Sequence, residues 1–169
     1  MNLKLIGTFI IITGCGGFGF SIAAAHRRKV SYLRQLLAVL DQVQSELEYR
    51  LTPLPELCRL ASDSCNGELR KLFNNFQAEL ERQISPDAQC CMNAVLANSD
   101  LPQSVKFHLK DFGKTLGKFD LPGQLRGLDA VRKEVLLSMD RLTANQDTRI
   151  RSYQTLGLCA GAALAILLL

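Results

Sequence analysis

DLPGQLRGLDAVRKEVLLSMDRLTANQDTRIRSYQTLGLCAGAALAILLL, residues 120–169, changes character partway along. In its first half Leu121, Leu125, Leu128, Val135, Met139 and Leu142 recur at helical steps, which places them on one stripe of an amphipathic helix. The opposite face carries Arg126, Asp129, Lys133, Glu134, Asp140 and Arg141, so this helix packs on one side and meets water on the other. Beyond Arg149, Arg151 and Tyr153 the polar face disappears, and residues 155–169 carry no charge. A helix that needs partner helices therefore runs into a segment suited to lipid.

The rest of the composition agrees with a small anchored protein. The chain has 169 residues, enough for one domain with a modest core. Its net charge of +4 arises from 20 basic and 16 acidic residues spread along the sequence. No basic stripe is interleaved with aromatics, so a nucleic-acid partner is not expected. The six cysteines show no repeated spacing, with Cys15 and Cys159 in the apolar ends and Cys58, Cys65, Cys90 and Cys91 between them. They read as reduced thiols.

At the N-terminus residues 5–25 are apolar or small throughout. As a helix they would extend about 31 Å, enough to cross a bilayer core. A cleaved signal peptide is suggested by Lys4 and by Ala23, Ala24 and Ala25. A lipoprotein signal is suggested by Ile12, Thr13, Gly14 and Cys15. A retained anchor is favoured over both, because His26, Arg27, Arg28 and Lys29 follow the apolar run directly and resist translocation. Arg141, Arg149 and Arg151 precede the C-terminal segment and no charge follows it, so both ends point outward and the middle stays inside. The second segment is short, about 22 Å from Thr155 at helical rise, which favours spanning with local bilayer adjustment over shallow insertion. The expected organisation is an anchor at residues 1–25, a cytoplasmic helical domain at 26–152 and a second anchor at 153–169. Cys15, Gly19 and Ala23 in one anchor, and Gly157, Gly161 and Ala165 in the other, fall at four-residue steps that allow close helix packing in lipid.

Six helical patterns lie between the anchors. Residues 30–48 present Leu33, Leu36, Leu37, Leu40, Val43 and Leu47 on one face. Thr52 and Pro53 signal the start of a second helix, as N-cap and first helical position. Asn66 and Gly67 separate it from a third, which carries Leu69, Leu72, Phe73, Phe76, Leu80 and Ile84. Ser85 and Pro86 signal a fourth, to about Ala97. Val105, Leu109, Phe112 and Leu116 define a fifth, ended by a left-handed Gly117, and Asp120 caps the sixth. No stretch alternates at period two. Short links favour antiparallel neighbours, hence an all-α, six-helix bundle-like domain.

Groups for catalysis are sparse. His26 and His108 have no cysteine or carboxylate at ligand spacing, and no phosphate-cradling loop or nucleophile signature is present. Neither an enzyme, a metal nor a cofactor is expected.

Two local signatures remain. Glu46, Leu47 and Tyr49 lead into Thr52, Pro53, Leu54, Pro55 and Glu56, while Leu116, Gly117 and Asp120 are followed by Gln124. With the terminal apolar segments, these make the chain similar end to end to the stage III sporulation protein AB family. Phe119 departs from the family pattern, which would have a small polar residue such as serine there. The resemblance implies a membrane protein of a secretion-like channel linking mother cell and forespore, in the mother-cell membrane around the forespore. It also implies similarity to the platform proteins of type II secretion and type IV pilus machines. The implied partners are membrane lipid, other membrane proteins of the channel and a cytosolic secretion-type ATPase, the AA protein, for which this chain would be the non-enzymatic docking platform.

Partner-surface candidates are Glu46, Glu48, Tyr49 and Arg50 at the end of the first helix, with Asp120 and Gln124 at the start of the sixth. Thr52, Asp120, Pro53, Pro55 and Gly117 all have local backbone duties, whereas Glu46, Glu48 and Arg50 have none that the sequence shows. Two other readings stay open: a generic membrane-tethered scaffold, and an exported helical domain released by cleavage after Ala25.

Overall fold

The computed structural model describes residues 2–82, 87–117 and 120–144, without the side chains of residues 2–20, 22 and 23. Its elements are α1 (Asn2–Tyr49), α2 (Leu54–Asp63), α3 (Glu68–Arg82), α4 (Ala88–Ala97), α5 (Gln103–Thr115) and α6 (Leu121–Ala144). No strand occurs among the described residues, and the architecture is all-α, as the periodicity predicts. The chain divides into Met1–Val30 with Asp140–Leu169, and Ser31–Met139.

In the first unit the His26 ring Nε2 donates to the Leu142 carbonyl at 3.1 Å. Arg27 and Arg28 beside it are exposed. Among the described residues no helix is long and apolar enough to cross a membrane. The proposed C-terminal anchor and its Gly157, Gly161 and Ala165 lie outside the described residues. Cys15, Gly19 and Ala23 fall on α1, but the side chains of Cys15 and Ala23 are also outside them.

The second unit is built on the predicted stripes. From α1, Leu33, Leu36, Leu40, Val43 and Leu47 are buried, joined by Val39, while Leu37 is only half-buried. Successive helices pack in chain order, α2 on α3, α3 on α4 and α4 on α5. Val43, Leu57, Ala61, Phe73, Phe112 and Leu116 converge on one interior point. There the Phe73 and Phe112 rings meet edge to face, with centroids 6.1 Å apart. From α6 the buried residues are Leu128, Val131 and Val135. Leu121, Leu125, Met139 and Leu142 of the predicted stripe are only half-buried, so the stripe that docks is narrower than the sequence pattern.

Polar groups fix the connections. Gln35 of α1 accepts from the Asn66 amide at 2.8 Å and Gln42 accepts from the Ser64 hydroxyl, so α1 holds the turn between α2 and α3. Gly67 completes this turn at φ 61, a left-handed conformation that an L side chain resists. Lys106 Nζ donates to the Leu96 and Ser99 carbonyls, at 3.0 and 2.7 Å, satisfying the end of α4.

Two glycines set how closely helices approach α5. A Cβ on Gly113 of α5 would lie 2.7 Å from the Met92 Cβ of α4, and one on Gly127 of α6 would lie 2.4 Å from the Thr115 Cγ2. Both are far inside ordinary carbon contact.

Helix starts depart from the sequence reading in two places. Pro53, not Thr52, is the N-cap of α2, and no side chain caps it. The Thr52 hydroxyl instead donates to the Glu46 carboxylate at 2.8 Å. Ser85 and Pro86 lie outside the described residues, and the cap of α4 is Asp87, whose carboxylate accepts from the Gln89 amide at 2.6 Å. An aspartate carboxylate at this position satisfies one of the free amides of the first turn. Gly117 takes the expected left-handed conformation, at φ 77, and the Asp120 carbonyl accepts the first helical bond of α6 from the Gln124 amide at 2.9 Å.

Candidate partner surface

The end of α1 is shaped by a backbone conformation unusual for its residue. The Arg50 amide closes the last helical bond on the Glu46 carbonyl at 3.0 Å, and Leu51 then enters the left-handed region at φ 52. For a residue with a Cβ this costs roughly 1–2 kcal/mol. Leu51 does not recover that cost by burial, since it is 67% exposed, and Tyr49 is 79% exposed. The turn is held by Glu46, which accepts from Thr52 and pairs with Arg50 at 3.5 Å. Glu46 thus has a local duty, contrary to the sequence reading, and its side chain is only 18% exposed.

Along the preceding turns, Asp41, Gln44, Ser45, Glu48 and Tyr49 share one face of α1, at steps of three and one. With Asp129 and Arg132 of α6 they line an open groove of about 310 Å³. Arg132 Nε donates to the Asp41 carboxylate at 2.5 Å and ties the two helices across 91 residues of sequence. Both partners are substantially exposed, so the pair contributes no more than about 1 kcal/mol and acts mainly to set geometry. Asp129 is paired with Lys133 on its own helix at 2.7 Å. Glu48 makes no ion pair among the described residues. Three carboxylates against one guanidinium leave the groove acidic on a chain whose overall charge is +4.

No histidine or cysteine lines the groove. Its lining is carboxylates, an amide, a hydroxyl, one guanidinium and the exposed Tyr49 ring at the end of α1, and the exposed Leu51 lies two residues beyond that helix, outside the lining. His108 lies apart in the α5–α6 contact, buried, with Nε2 at 3.1 Å from the Ser138 hydroxyl and Nδ1 without a hydrogen-bond partner among the described residues. Burial holds its pKa below the usual histidine value, against the pull of Glu134 and Asp111. Burial also pushes the Cys58 and Cys65 thiols up to about 12. Among the described residues no group of three or more His, Cys, Asp and Glu is placed to hold a metal ion.

Of the candidates from sequence, Glu48 and Tyr49 enter the groove lining. Glu46 and Arg50 form the adjoining turn. Asp120 is exposed ahead of α6, Gln124 is half-buried, and neither lines the groove. Asp41 and Gln44 escaped the sequence reading, though their spacing with Ser45, Glu48 and Tyr49 marks a continuous polar face. Nothing local in the sequence pairs that face with Asp129 and Arg132.

Comparison with known proteins supplies the context. The family model for stage III sporulation protein AB matches residues 4–169. Stage III sporulation protein AB of Bacillus subtilis strain 168 is 27% identical over 178 residues, covering 99% of each chain. A solved structure of a stage III sporulation protein AB superposes with a TM-score of 0.64 at 24% identity, covering 72% of this chain and 98% of the other. It supports the helical fold.

Proposed function

The chain belongs to the stage III sporulation protein AB family, with the role in sporulation that this membership implies, and from that premise we propose that it is a non-enzymatic membrane platform. In this reading residues 1–25 and 153–169 anchor the chain. The helical domain between them stands in the cytoplasm of the mother cell, at the membrane around the forespore. A cytosolic secretion-type ATPase docks on it, as on the platform proteins of type II secretion and type IV pilus machines. Other membrane proteins of the same channel pack against the anchors through Cys15, Gly19, Ala23, Gly157, Gly161 and Ala165.

The observation that carries the reading is the charge asymmetry around two uncharged segments. Residues 5–25 are followed at once by His26, Arg27, Arg28 and Lys29, and residues 155–169 are preceded by Arg149 and Arg151. Glu48 and Tyr49 in the acidic groove, beside the turn formed by Glu46 and Arg50, give the domain a surface suited to binding without chemistry. Asp120 and Gln124 remain candidate contacts at the other end of the surface.

Co-purification of the tagged full chain from sporulating cells tests the partner, with the secretion-type ATPase as the expected companion. Labelling of the exposed Cys90 with a membrane-impermeant maleimide tests the topology. Protection in intact cells and reaction after lysis are expected. Reaction in intact cells, or a mature chain lacking its first 25 residues, overturns the platform reading in favour of an exported domain.

A further inference from the structure

We propose that the α1–α6 groove receives an arginine-bearing segment of the docked cytosolic ATPase, with Glu48 as the primary counter-charge and Tyr49 and Leu51 as apolar anchors. This rests on the platform reading and specifies the chemistry of its contact.

Charge complementarity gives the sign of the occupant. Asp41 and Asp129 already have cationic partners, Arg132 and Lys133, whereas Glu48 has none among the described residues. An incoming cation meets Glu48 without displacing an existing pair. A guanidinium fits better than an ammonium, because it can bond a carboxylate through two N–H groups while its flat face stacks on an aromatic ring. Tyr49 follows Glu48 directly in the groove lining and supplies that ring.

The apolar part of the argument is independent of charge. Tyr49 and Leu51 are the most exposed large hydrophobic residues described. A glycine at position 51 would remove both the left-handed penalty and the exposed side chain, yet a leucine stands there. A left-handed backbone and a largely exposed leucine at one residue fit a contact made outside the chain. Tyrosine and arginine are the residue types that most often dominate interface energies. The groove has room for a long side chain, not for a whole helix, so the partner contributes one arginine with its flanking apolar residue.

The test uses the full chain in lipid nanodiscs and the purified ATPase, with Kd read by biolayer interferometry. Glu48→Lys and Tyr49→Ala should each weaken binding about tenfold or more, and Leu51→Gly by about threefold, whereas Glu81→Lys on α3 should stay within about twofold. Thermal melts establish that each variant is folded. Binding by wild type that Glu48→Lys, Tyr49→Ala and Leu51→Gly leave unchanged overturns the groove assignment while the platform reading stands. If the ATPase binds none of the chains, the platform reading fails. The groove is then judged by titrating a blocked peptide with two arginines and a leucine while backbone resonances are followed. Saturable shifts at Glu48 and Tyr49 that vanish in Glu48→Lys retain its cation-receiving role. Shifts absent or spread over the surface overturn it.

Discussion

Gly127→Ala is the substitution whose effect the structure specifies most closely. Alanine is the better helix former, so on propensity alone it would stabilise α6 by about 0.8–1 kcal/mol. Packing opposes this, because the new Cβ would lie 2.4 Å from the Thr115 Cγ2, 3.1 Å from its Oγ1 and 3.3 Å from its Cβ. Ordinary carbon contact begins near 3.5 Å, so about 1 Å of movement is needed. Thr115 has little freedom to supply it. Its side chain is buried, and its hydroxyl donates to the Asp111 carbonyl at 2.9 Å, so rotating the methyl away sacrifices that bond. Overpacking costs roughly 1–3 kcal/mol, and a contact this short belongs in the upper part of that range, about 2–3 kcal/mol, so the net expectation after the propensity gain is a loss of about 1–2 kcal/mol. In a domain of this size that corresponds to a Tm lower by roughly 5–10 °C. Circular dichroism at 222 nm on the full chain in detergent micelles measures it. Thr115→Ser, which removes the offending methyl and keeps the hydroxyl, should recover at least half of the loss in the double variant and cost little alone. A Gly127→Ala chain that melts at or above the parent temperature, or a double variant that is simply additive, would refute the close-contact reasoning.

Three further outcomes follow from individual residues. His108 is buried and its pKa lies below the ordinary value, so the unfolded chain binds the extra proton first and stability should fall as pH drops below about 6.5. His108→Gln should flatten the urea midpoint between pH 7 and pH 5.5, and an unchanged slope counts against the assignment. Leu51→Gly should raise stability by about 0.5–1 kcal/mol in urea titrations, since it relieves the left-handed backbone at φ 52 without removing a buried contact. A destabilised variant would show that the Leu51 side chain supports the fold. At pH 8 iodoacetamide should modify Cys90 in the native chain and leave Cys58, Cys65 and Cys91 untouched until denaturant is added, as read by peptide mass mapping. Early reaction at Cys58, whose thiol burial pushes up to about 12, would show that α2 opens locally.

Much of the fold was legible because apolar spacing reports helices directly. Each of the six patterns between residues 30 and 144 has its helix, and Gly67 and Gly117 punctuate them where a left-handed residue is needed. What the pattern misjudged depended on competition between nearby groups. Thr52 reads as a cap from its position ahead of a proline, but the Glu46 carboxylate, six residues back in the last turn of α1, claims its hydroxyl. For the same reason Glu46 looked free and is not. The docked face of α6 is narrower than its apolar stripe, since a stripe of leucines shows which side of a helix is apolar but not how far its neighbours extend along it. The groove was only half visible, through Glu48 and Tyr49. Its other wall, Asp129 and Arg132, is set by tertiary packing that joins Asp41 to a residue 91 positions away.

The fit of Thr115 against Gly127 also bears on how this family can drift. Neither position can change freely on its own, because a methyl gained at one needs a methyl surrendered at the other. Relatives carrying alanine in place of Gly127 should therefore hold serine or alanine in place of Thr115, and Met92 and Gly113 should trade bulk in the same way. Such reciprocal exchanges, tallied across homologous sequences, would record the spacing of α4, α5 and α6 as a historical constraint.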